Sequence, residues 1–547
     1  MKQILPNVKS KEMFYQGSFL ILLTVLNYRL LHIWFIVDDT ANIFCSSFDT
    51  LRLLFDRDTY LFSNQMFFTP LMPISFKVDW LLFKMDPFGY HLHNLLAAFL
   101  CCIMFYKLLR IYLPATFSWT GALLLACSLP VSFDIGWITR KQYLWGFFLA
   151  LLALYLFKKW EMQKGNLLLF SSVSVTLFSF LYKEAYTFLP AVIFLAASGP
   201  IKNRTVKTLP YMLVLIVYII WRMFMLGSLG GYPGSTDRSV LYFMQRLFQI
   251  PMDLSESLYG FPFLPFILLA ITAFLNVRIL VLSASLFLIV ISPFIFYPEG
   301  GFLLANKALS FVAVVSFSLS YILSALYSKQ KKLLFTVFLL LLLPILYGST
   351  AKIMNGQKVI MRLSEQYERA SHEIIESGNQ KILVVGNFAH YFSNLEDIYR
   401  RMLKKDFPYL RSLSSAAALP YLERNDFDKI ILLNNLDLRP DEVSESSVKV
   451  LSGREARMYV TEKLKVDGNL PLPEVQFRPT EDRLKIEITD ARTGTFLRCL
   501  YMGSYVGCYP IPHHYVFQYN RVKKAEKIDI LYVSGDGKTS QPATFRP

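Results

Sequence analysis

Apolar residues run in long blocks through the first 349 residues of the chain and in short ones after that. Blocks that reach or approach the roughly 20 residues needed to cross about 30 Å of hydrocarbon as a helix stand near residues 14–35, 90–111, 115–133, 142–158, 165–181, 185–199, 208–226, 261–276, 278–297, 305–327 and 333–348. About eleven transmembrane helices are therefore predicted. Two long loops between them keep a helical period. In residues 38–89, Phe44, Ser47, Phe48, Leu51, Leu54 and Phe55 share one helical face, whereas Asp49, Arg52 and Asp56 take others. That spacing predicts an amphipathic helix lying in the membrane interface. In residues 227–260 the turn-forming GSLGGYPGS precedes Val240, Phe243, Met244, Leu247 and Phe248 at helical spacing, which predicts a second such helix. Both are equally readable as helices that only seal the outer surface.

Beyond residue 350 the pattern changes. KILVVGNF and KIILLNN are short apolar runs of the kind that form buried strands, and LEDIYRRMLKK between them has a helical period, so residues 350–465 read as α/β. VQFRP, RLKIEIT, TFLRCLYM, YVFQYNRV and KIDILYVSG then alternate as an antiparallel sheet would. The fold class is a polytopic α-helical membrane protein, residues 1–349, with a C-terminal soluble α/β plus antiparallel-β domain, residues 350–547.

Charge sharpens this division. Of 547 residues only 18% are charged against 54% hydrophobic, but 27 Lys/Arg and 15 Asp/Glu fall in residues 1–349 and 29 and 25 in the shorter remainder. The second density is that of a globular domain; the first is far below it. The net charge of +16 is thus no nucleic-acid surface, because most of it sits in short loops between apolar blocks. Alternate loops collect Lys2, Lys9, Lys11, Lys107, Arg110, Lys158, Lys159, Lys164, Lys202, Arg204, Lys207, Arg278, Lys329, Lys331 and Lys332, with Glu12 and Glu161 as their acids. The positive-inside rule then puts the N-terminus in the cytoplasm and, with an odd number of spans, the C-terminal domain outside. The first apolar block has no small-residue cleavage site after it and is expected to be retained. Cys499 and Cys508 flank MGSYVG in the outer domain and are expected either to pair or to remain thiols. No CxxC, P-loop, GxGxxG or triad pattern is present.

Polar residues at the ends of apolar blocks are costly and mark function. Here they gather at the outer ends: Asp38 and Asp39 in FIVDD, His91, His93 and Asn94 in YHLHN, Asp134, Arg140 and Lys141 in DIGWITRKQ, Lys183 and Glu184 in LYKEAY, and Glu299, Asn306 and Lys307 in FYPEGGFLLANKALS. Such a set suits an activated sugar on a lipid phosphate. The leaving group needs no protonation, unlike that of a glycosidase, so one carboxylate suffices as general base and cations stabilise the departing phosphate. Individually these residues have plainer readings. Acid pairs cap membrane boundaries, basic side chains snorkel to headgroups, Asp134 and Arg140 suit a structural ion pair, and His91 and His93, two apart, point to different faces of a helix.

As an ordered set, FIVDDTANIF, FFTPLMPISFKVDWLLFKMDPFGYHLHNLLAAF, WITRKQYLWGFFLALLALYLF, YKEAYTFLP and FYPEGGFLLANKALS resemble the motifs of the polytopic GT-C glycosyltransferases, in the protein O-mannosyltransferase-like branch. That resemblance covers residues 30–315. It implies a GT-C fold, a polyprenyl-monophosphate sugar donor with mannose a candidate sugar, and an acceptor hydroxyl on a protein or glycan. It also implies inversion at the sugar, Asp38 as base with Asp39 supporting it, and Arg140, Lys183, Glu184, Lys307 and His93 as substrate and lipid-phosphate ligands. Asn306 and Lys307 stand where the branch often has Glu-Arg, and no 34-residue tetratricopeptide repeat follows the membrane part. A monophosphate donor requires no metal, so no cofactor is expected. The expected location is a bacterial inner membrane. The rival readings are a transporter or flippase of lipid-linked sugars and a non-catalytic membrane scaffold. Transporters place polar groups near the bilayer midplane and show internal repeats; these polar groups sit at outer ends, and no repeat is evident.

Overall fold

The computed structural model describes residues 5–63, 67–227, 240–294, 308–328, 332–386, 390–413, 427–433, 448–463, 474–479, 483–488, 495–501, 504–510, 514–518, 527–532, 541 and 543–546. They form two compact units. The helical unit comprises the chain up to Ile33 and Phe48–Met361; the mixed unit comprises Trp34–Ser47 and the described residues from Arg362 on.

In its described residues each of the eleven apolar blocks is mainly helical, but fewer qualify as spans. Among the described residues five helices are long and apolar enough to cross a membrane: Pro87–Leu109, Ile138–Gln163, Ile201–Leu226, Leu309–Ser328 and Phe338–Glu376. Two bent pairs raise the number to seven: Ala115–Ala126 with Leu129–Gly136, at 51°, and Gln245–Tyr259 with Leu264–Leu275, at 104°. Asn166–Tyr182, Glu184–Ala196 and Val277–Ile291 are apolar but shorter. Against the eleven spans expected, five to seven qualify by length and composition among the described residues. A hydropathy pattern registers apolar length and not where the helix bends or stops, as at the Lys183 and Ala126–Leu129 breaks. The chain is a multi-pass membrane protein.

Helix Ile201–Leu226 shows how these helices are sided. Leu209, Leu213, Ile216, Ile220 and Phe224 point outward at helical spacing, while Tyr211, Tyr218, Arg222 and Met225 are buried. The usual amphipathic arrangement is inverted, as in a bilayer, where the outside is the apolar solvent. Inside the unit, small residues let helices approach closely. A Cβ on Gly146 would stand 2.6 Å from the Tyr186 ring, and Ser179 Oγ donates to the Gly146 carbonyl at 2.8 Å.

The single amphipathic helix expected in the first long loop is interrupted. Helix Asp39–Cys45 ends at Ser46, and a new helix, Thr50–Phe55, starts at Asp49, whose carboxylate accepts from the Leu51 and Arg52 N–H groups. Asp49, expected on the polar face of one helix, is the N-cap of the next. The two helices belong to different units. In the second long loop the expected helix is present as Val240–Tyr259; the preceding GSLGGYPGS lies almost wholly outside the described residues.

In the mixed unit, strands β1 (Lys381–Val385), β2 (Tyr409–Leu413), β3 (Lys429–Leu433) and β4 (Val448–Ser452) form a sheet of order β2-β1-β3-β4, with β1 parallel to β2 and β3, and β4 antiparallel to β3. Ile382, Leu383 and Val384 are all fully buried, as expected of a central parallel strand covered on both faces. Strands β5 (Val475–Pro479), β6 (Arg483–Ile488) and β9 (His514–Gln518) make one antiparallel sheet. β7 (Thr495–Tyr501), β8 (Ser504–Pro510), β10 (Lys527–Tyr532) and β11 (Ala543–Phe545) make another. The single antiparallel sheet read from the alternation is two sheets. Ser504–Gly507 of the MGSYVG segment belongs to β8, where β-branched and aromatic neighbours outweigh the glycine. Cys499 lies on β7 and Cys508 on β8; their side chains lie outside the described residues.

Candidate functional site

A cation locus lies inside the helical unit. The chain leaves helix Leu129–Gly136 through a 3-10 turn, Ile138–Arg140, closed by Arg140 N–H on the Trp137 carbonyl at 3.0 Å, before helix Lys141–Gln163 begins. The tight turn sends Arg140 inward, where it is buried. Its Nε donates to Asp134 Oδ1 at 2.6 Å, and its guanidinium carbon stands 4.6 Å from the Tyr143 ring centre, 5.4 Å from Phe133 and 5.9 Å from Trp137. Asp134 is fully buried, and its Oδ2 has no hydrogen-bond partner among the described residues. Lys183 reaches the same place from another helix. It follows helix Asn166–Tyr182 in extended backbone, is buried, and holds its Nζ 4.5 Å from Tyr143, 4.4 Å from Phe67 and 3.4 Å from Gln142 Oε1. Arg140 and Lys183 thus share one aromatic ring, which Tyr186 steadies by donating its hydroxyl to the Tyr143 carbonyl at 2.7 Å.

Two further charged groups surround this locus in the sequence but have their own partners. Glu184 accepts from Arg222 Nε at 2.6 Å and Nη2 at 3.1 Å, and from the Phe68 N–H at 2.6 Å. His93 donates from Nδ1 to Asp79 Oδ1 at 2.5 Å, and the other Asp79 oxygen pairs with Lys141. Asp79 is 1% exposed and Lys141 0%, with the Lys141 ammonium 4.1 Å from the Phe76 ring. In a site so dry an unpartnered charge would be prohibitively costly, so carboxylate, lysine and histidine stand or fall together. His91 and Asn94 are tied to backbone: His91 ring nitrogens lie 2.9 and 3.2 Å from the Ile135 and Ile33 carbonyls, and Asn94 Nδ2 donates to the Asp134 carbonyl at 2.8 Å. They brace the turn that carries Arg140.

The acidic motif belongs to the mixed unit. Trp34 is anchored there through its N–H to Ser364 Oγ at 2.6 Å and its indole to Tyr391 Oη at 3.0 Å. The following turn closes on Asp39: the Asp39 N–H donates to the Ile36 carbonyl at 2.9 Å, and the Ile36 N–H to Asp39 Oδ2 at 2.8 Å. Val37, at its apex, has φ of +48°, a left-handed conformation that a β-branched residue adopts only under constraint. Asp39 is buried and is part of the turn's fabric; Asp38 is half-buried at the start of helix Asp39–Cys45. Thr40 fixes that helix by donating to the Tyr391 carbonyl at 3.0 Å. Burial pushes the Tyr391 phenol well above its ordinary pKa, with the Asp39 charge adding to the effect, so it stays a neutral donor and acceptor.

No family model matches the chain, and no curated protein sequence does. Among solved structures it is similar to two of the archaeal oligosaccharyltransferase AglB from Archaeoglobus fulgidus. The first, in complex with an inhibitory peptide and a dolichol-phosphate, has a TM-score of 0.44 at 11% identity, covering 77% of this chain and 69% of that one. The second, tethered by a disulfide to an acceptor peptide containing the NVT sequon, has a TM-score of 0.45 at 12% identity, covering 76% and 69%. Similarity at this level assigns no residue its role here.

Of the residues expected from sequence, Arg140 and Lys183 come together on Tyr143, and Glu184 lies beside Lys183 in the chain but is taken up by Arg222 and Phe68. His93 sits in the Asp79–Lys141 group. Asp38 and Asp39 are in the mixed unit; Lys307, with Glu299 and Asn306, lies outside the described residues. Among the described residues no three His, Cys, Asp or Glu side chains converge as metal ligands would. Sequence reading missed Asp79, Arg222 and Tyr143. The first two carried a usable signal, since KVDW and IIWRMF each put a charge within an apolar run, where it needs a partner. Tyr143 carried none, because an aromatic residue on an apolar helix is ordinary.

Proposed function

We propose that the chain is a membrane glycosyltransferase that moves a sugar from a polyprenyl-monophosphate carrier to an acceptor hydroxyl. The observation that supports this most is the convergence of Arg140 and Lys183 on the Tyr143 ring inside an apolar helical unit. Lys183 lies against two ring faces, and Arg140 against a ring face and Asp134, and a membrane-bound phosphate is an anion whose added charge in the reaction two such cations are placed to meet. The acceptor oxygen forms its bond to the anomeric carbon as the bond from that carbon to the phosphate oxygen breaks. The acceptor proton goes to Asp38, and the electron pair leaves on the lipid phosphate, which passes from a diester with one negative charge to a monoester with up to about two. Arg140 and Lys183 stabilise that added charge. Attack opposite the leaving group inverts the anomeric centre. Asp39 holds the turn that presents Asp38. Because the leaving phosphate needs no further neutralisation, activity is expected to survive exhaustive chelation.

By this reading the sugar is released on the extracytoplasmic side of a bacterial-type inner membrane, mannose is the first sugar to try, and the acceptor is a protein or glycan hydroxyl. The test is transfer of labelled sugar from a polyprenyl-phosphate mannose by protein in lipid nanodiscs. Turnover by wild type that disappears in Asp38→Asn supports the reading. Donor that binds but is never consumed, across sugars and acceptors, overturns it in favour of a transporter or flippase.

A further inference from the structure

The segment Phe67–Thr69 is fastened at successive backbone groups by side chains from elsewhere in the helical unit. The Phe67 carbonyl accepts from Tyr60 Oη at 2.5 Å, and the same hydroxyl accepts from the Thr69 N–H at 2.6 Å. The Phe68 N–H donates to Glu184 Oε1 at 2.6 Å, and the Phe68 carbonyl accepts from Tyr218 Oη at 2.9 Å. Tyr218 also lies 3.3 Å from Glu184, and Arg222 holds that carboxylate by two nitrogens. Phe68 fills the pocket behind, edge-on to Tyr60 at 5.1 Å and to Trp221 at 5.3 Å. So much anchoring of three residues outside any helix or strand is more than a loop needs. What it positions is the Phe67 ring, 4.4 Å from the Lys183 ammonium, on which Tyr143 also lies at 4.5 Å.

We infer that Glu184 is a positioning residue, which with Arg222 and Tyr218 seats Phe67 on Lys183 and so sets the affinity of the cation locus for a lipid-linked phosphate. This rests on the proposed function and assigns Glu184 a task other than touching the phosphate. The physical logic is that the negative face of a ring attracts and orients a buried ammonium, so where the Phe67 ring sits decides how Lys183 is presented. Glu184 follows Lys183 directly, and its engagement by Arg222 and Phe68 keeps it in another role.

The experiment measures binding of a polyprenyl monophosphate, with the uncharged polyprenol as control, to full-length protein in nanodiscs. Glu184→Gln and Phe67→Leu should each weaken phosphate binding about fivefold and leave polyprenol binding unchanged. The double variant should be no weaker than either single one, because both remove the same contact. Phe67→Tyr, which keeps the ring, should bind like wild type. Additive losses, or a Phe67→Leu variant that binds as wild type while Lys183→Gln does not, overturn the inference and leave the proposed function standing. If Glu184→Gln fails to fold, the two Phe67 variants still decide. If wild type does not prefer the phosphate to the alcohol and Lys183→Gln changes nothing, the functional reading fails and takes the inference with it.

Discussion

The two units handle charge in opposite ways. In the helical unit, charges buried among apolar helices are held by ion pairs, Arg140 with Asp134, Lys141 with Asp79 and Arg222 with Glu184, or by ring faces, as Lys183 is by Phe67 and Tyr143. In the mixed unit, Asp38 is half-buried beside an Asp39 committed to its own turn. Buried cations on ring faces are suited to holding an anion, and they change little as that anion gains charge. A partly exposed carboxylate at a constrained turn is suited to exchanging a proton. On the proposed function the difference would separate binding of the leaving group from activation of the nucleophile, and it can be broken at several places.

The largest effect is expected at the acid. Asp38→Asn should lower transfer about a thousandfold, the scale of a lost general base, with donor binding unchanged. Asp39→Ala should instead lower the stability of the mixed unit, since it strips the Ile36 N–H of its acceptor. If Asp39→Ala alone abolishes transfer in a protein that melts like wild type, the two acids have exchanged roles. Next in size is a stability effect confined to the helical unit. Lys141→Met leaves the buried Asp79 beside His93 without its ammonium and should cost about 3 kcal/mol, read as thermal unfolding in nanodiscs. Replacing Lys141 and Asp79 together by Met and Leu should restore most of it. A single variant as stable as wild type would show that water reaches this group. Arg140→Gln should then slow transfer about a hundredfold, and Arg140→Lys should recover little, because an ammonium cannot reproduce the contact from Nε to Asp134 together with stacking on Tyr143.

How much of this the sequence discloses depends on the range of the interaction. Helices and strands follow local period, so all eleven apolar blocks are mainly helical in their described residues and VQFRP, RLKIEIT and KIDILY are strands. Where a helix stops is set by single residues whose alternatives are close in energy, which is why Asp49 and Lys183 end or begin elements that hydropathy runs together. Arg140 and Lys183 are legible as costly charges, but their meeting on Tyr143 spans residues forty apart and no local pattern records it. The same holds for Glu184 and Arg222. The grouping of FIVDD with the mixed unit is equally hidden, since it depends on Trp34 and Thr40 finding Tyr391 some 350 residues later.

The smallest expected effect is a pH response in the mixed unit alone. On helix His390–Asp397, burial raises the Glu396 carboxyl above its ordinary range against the pull of Arg400, with Asp397 adding to the rise, and burial raises Asp397 against Arg401. A carboxyl whose folded pKa is raised binds its proton more tightly folded than unfolded. Its destabilising contribution is therefore absent below the unfolded pKa and fully present above the folded one, so stability falls as pH rises through the window from about 4 upward. Replacing the pair with Glu396→Gln and Asp397→Asn removes both titrations. Amide exchange of Lys381–Val385 in the full-length protein should then slow relative to wild type above the window, and the two should converge below it. Parallel curves at every pH would mean that Arg400 and Arg401 already offset the burial. A difference confined to the mixed unit would show that its carboxyls exchange protons with water within this window, as the proposed role of Asp38 requires of a carboxylate in that unit.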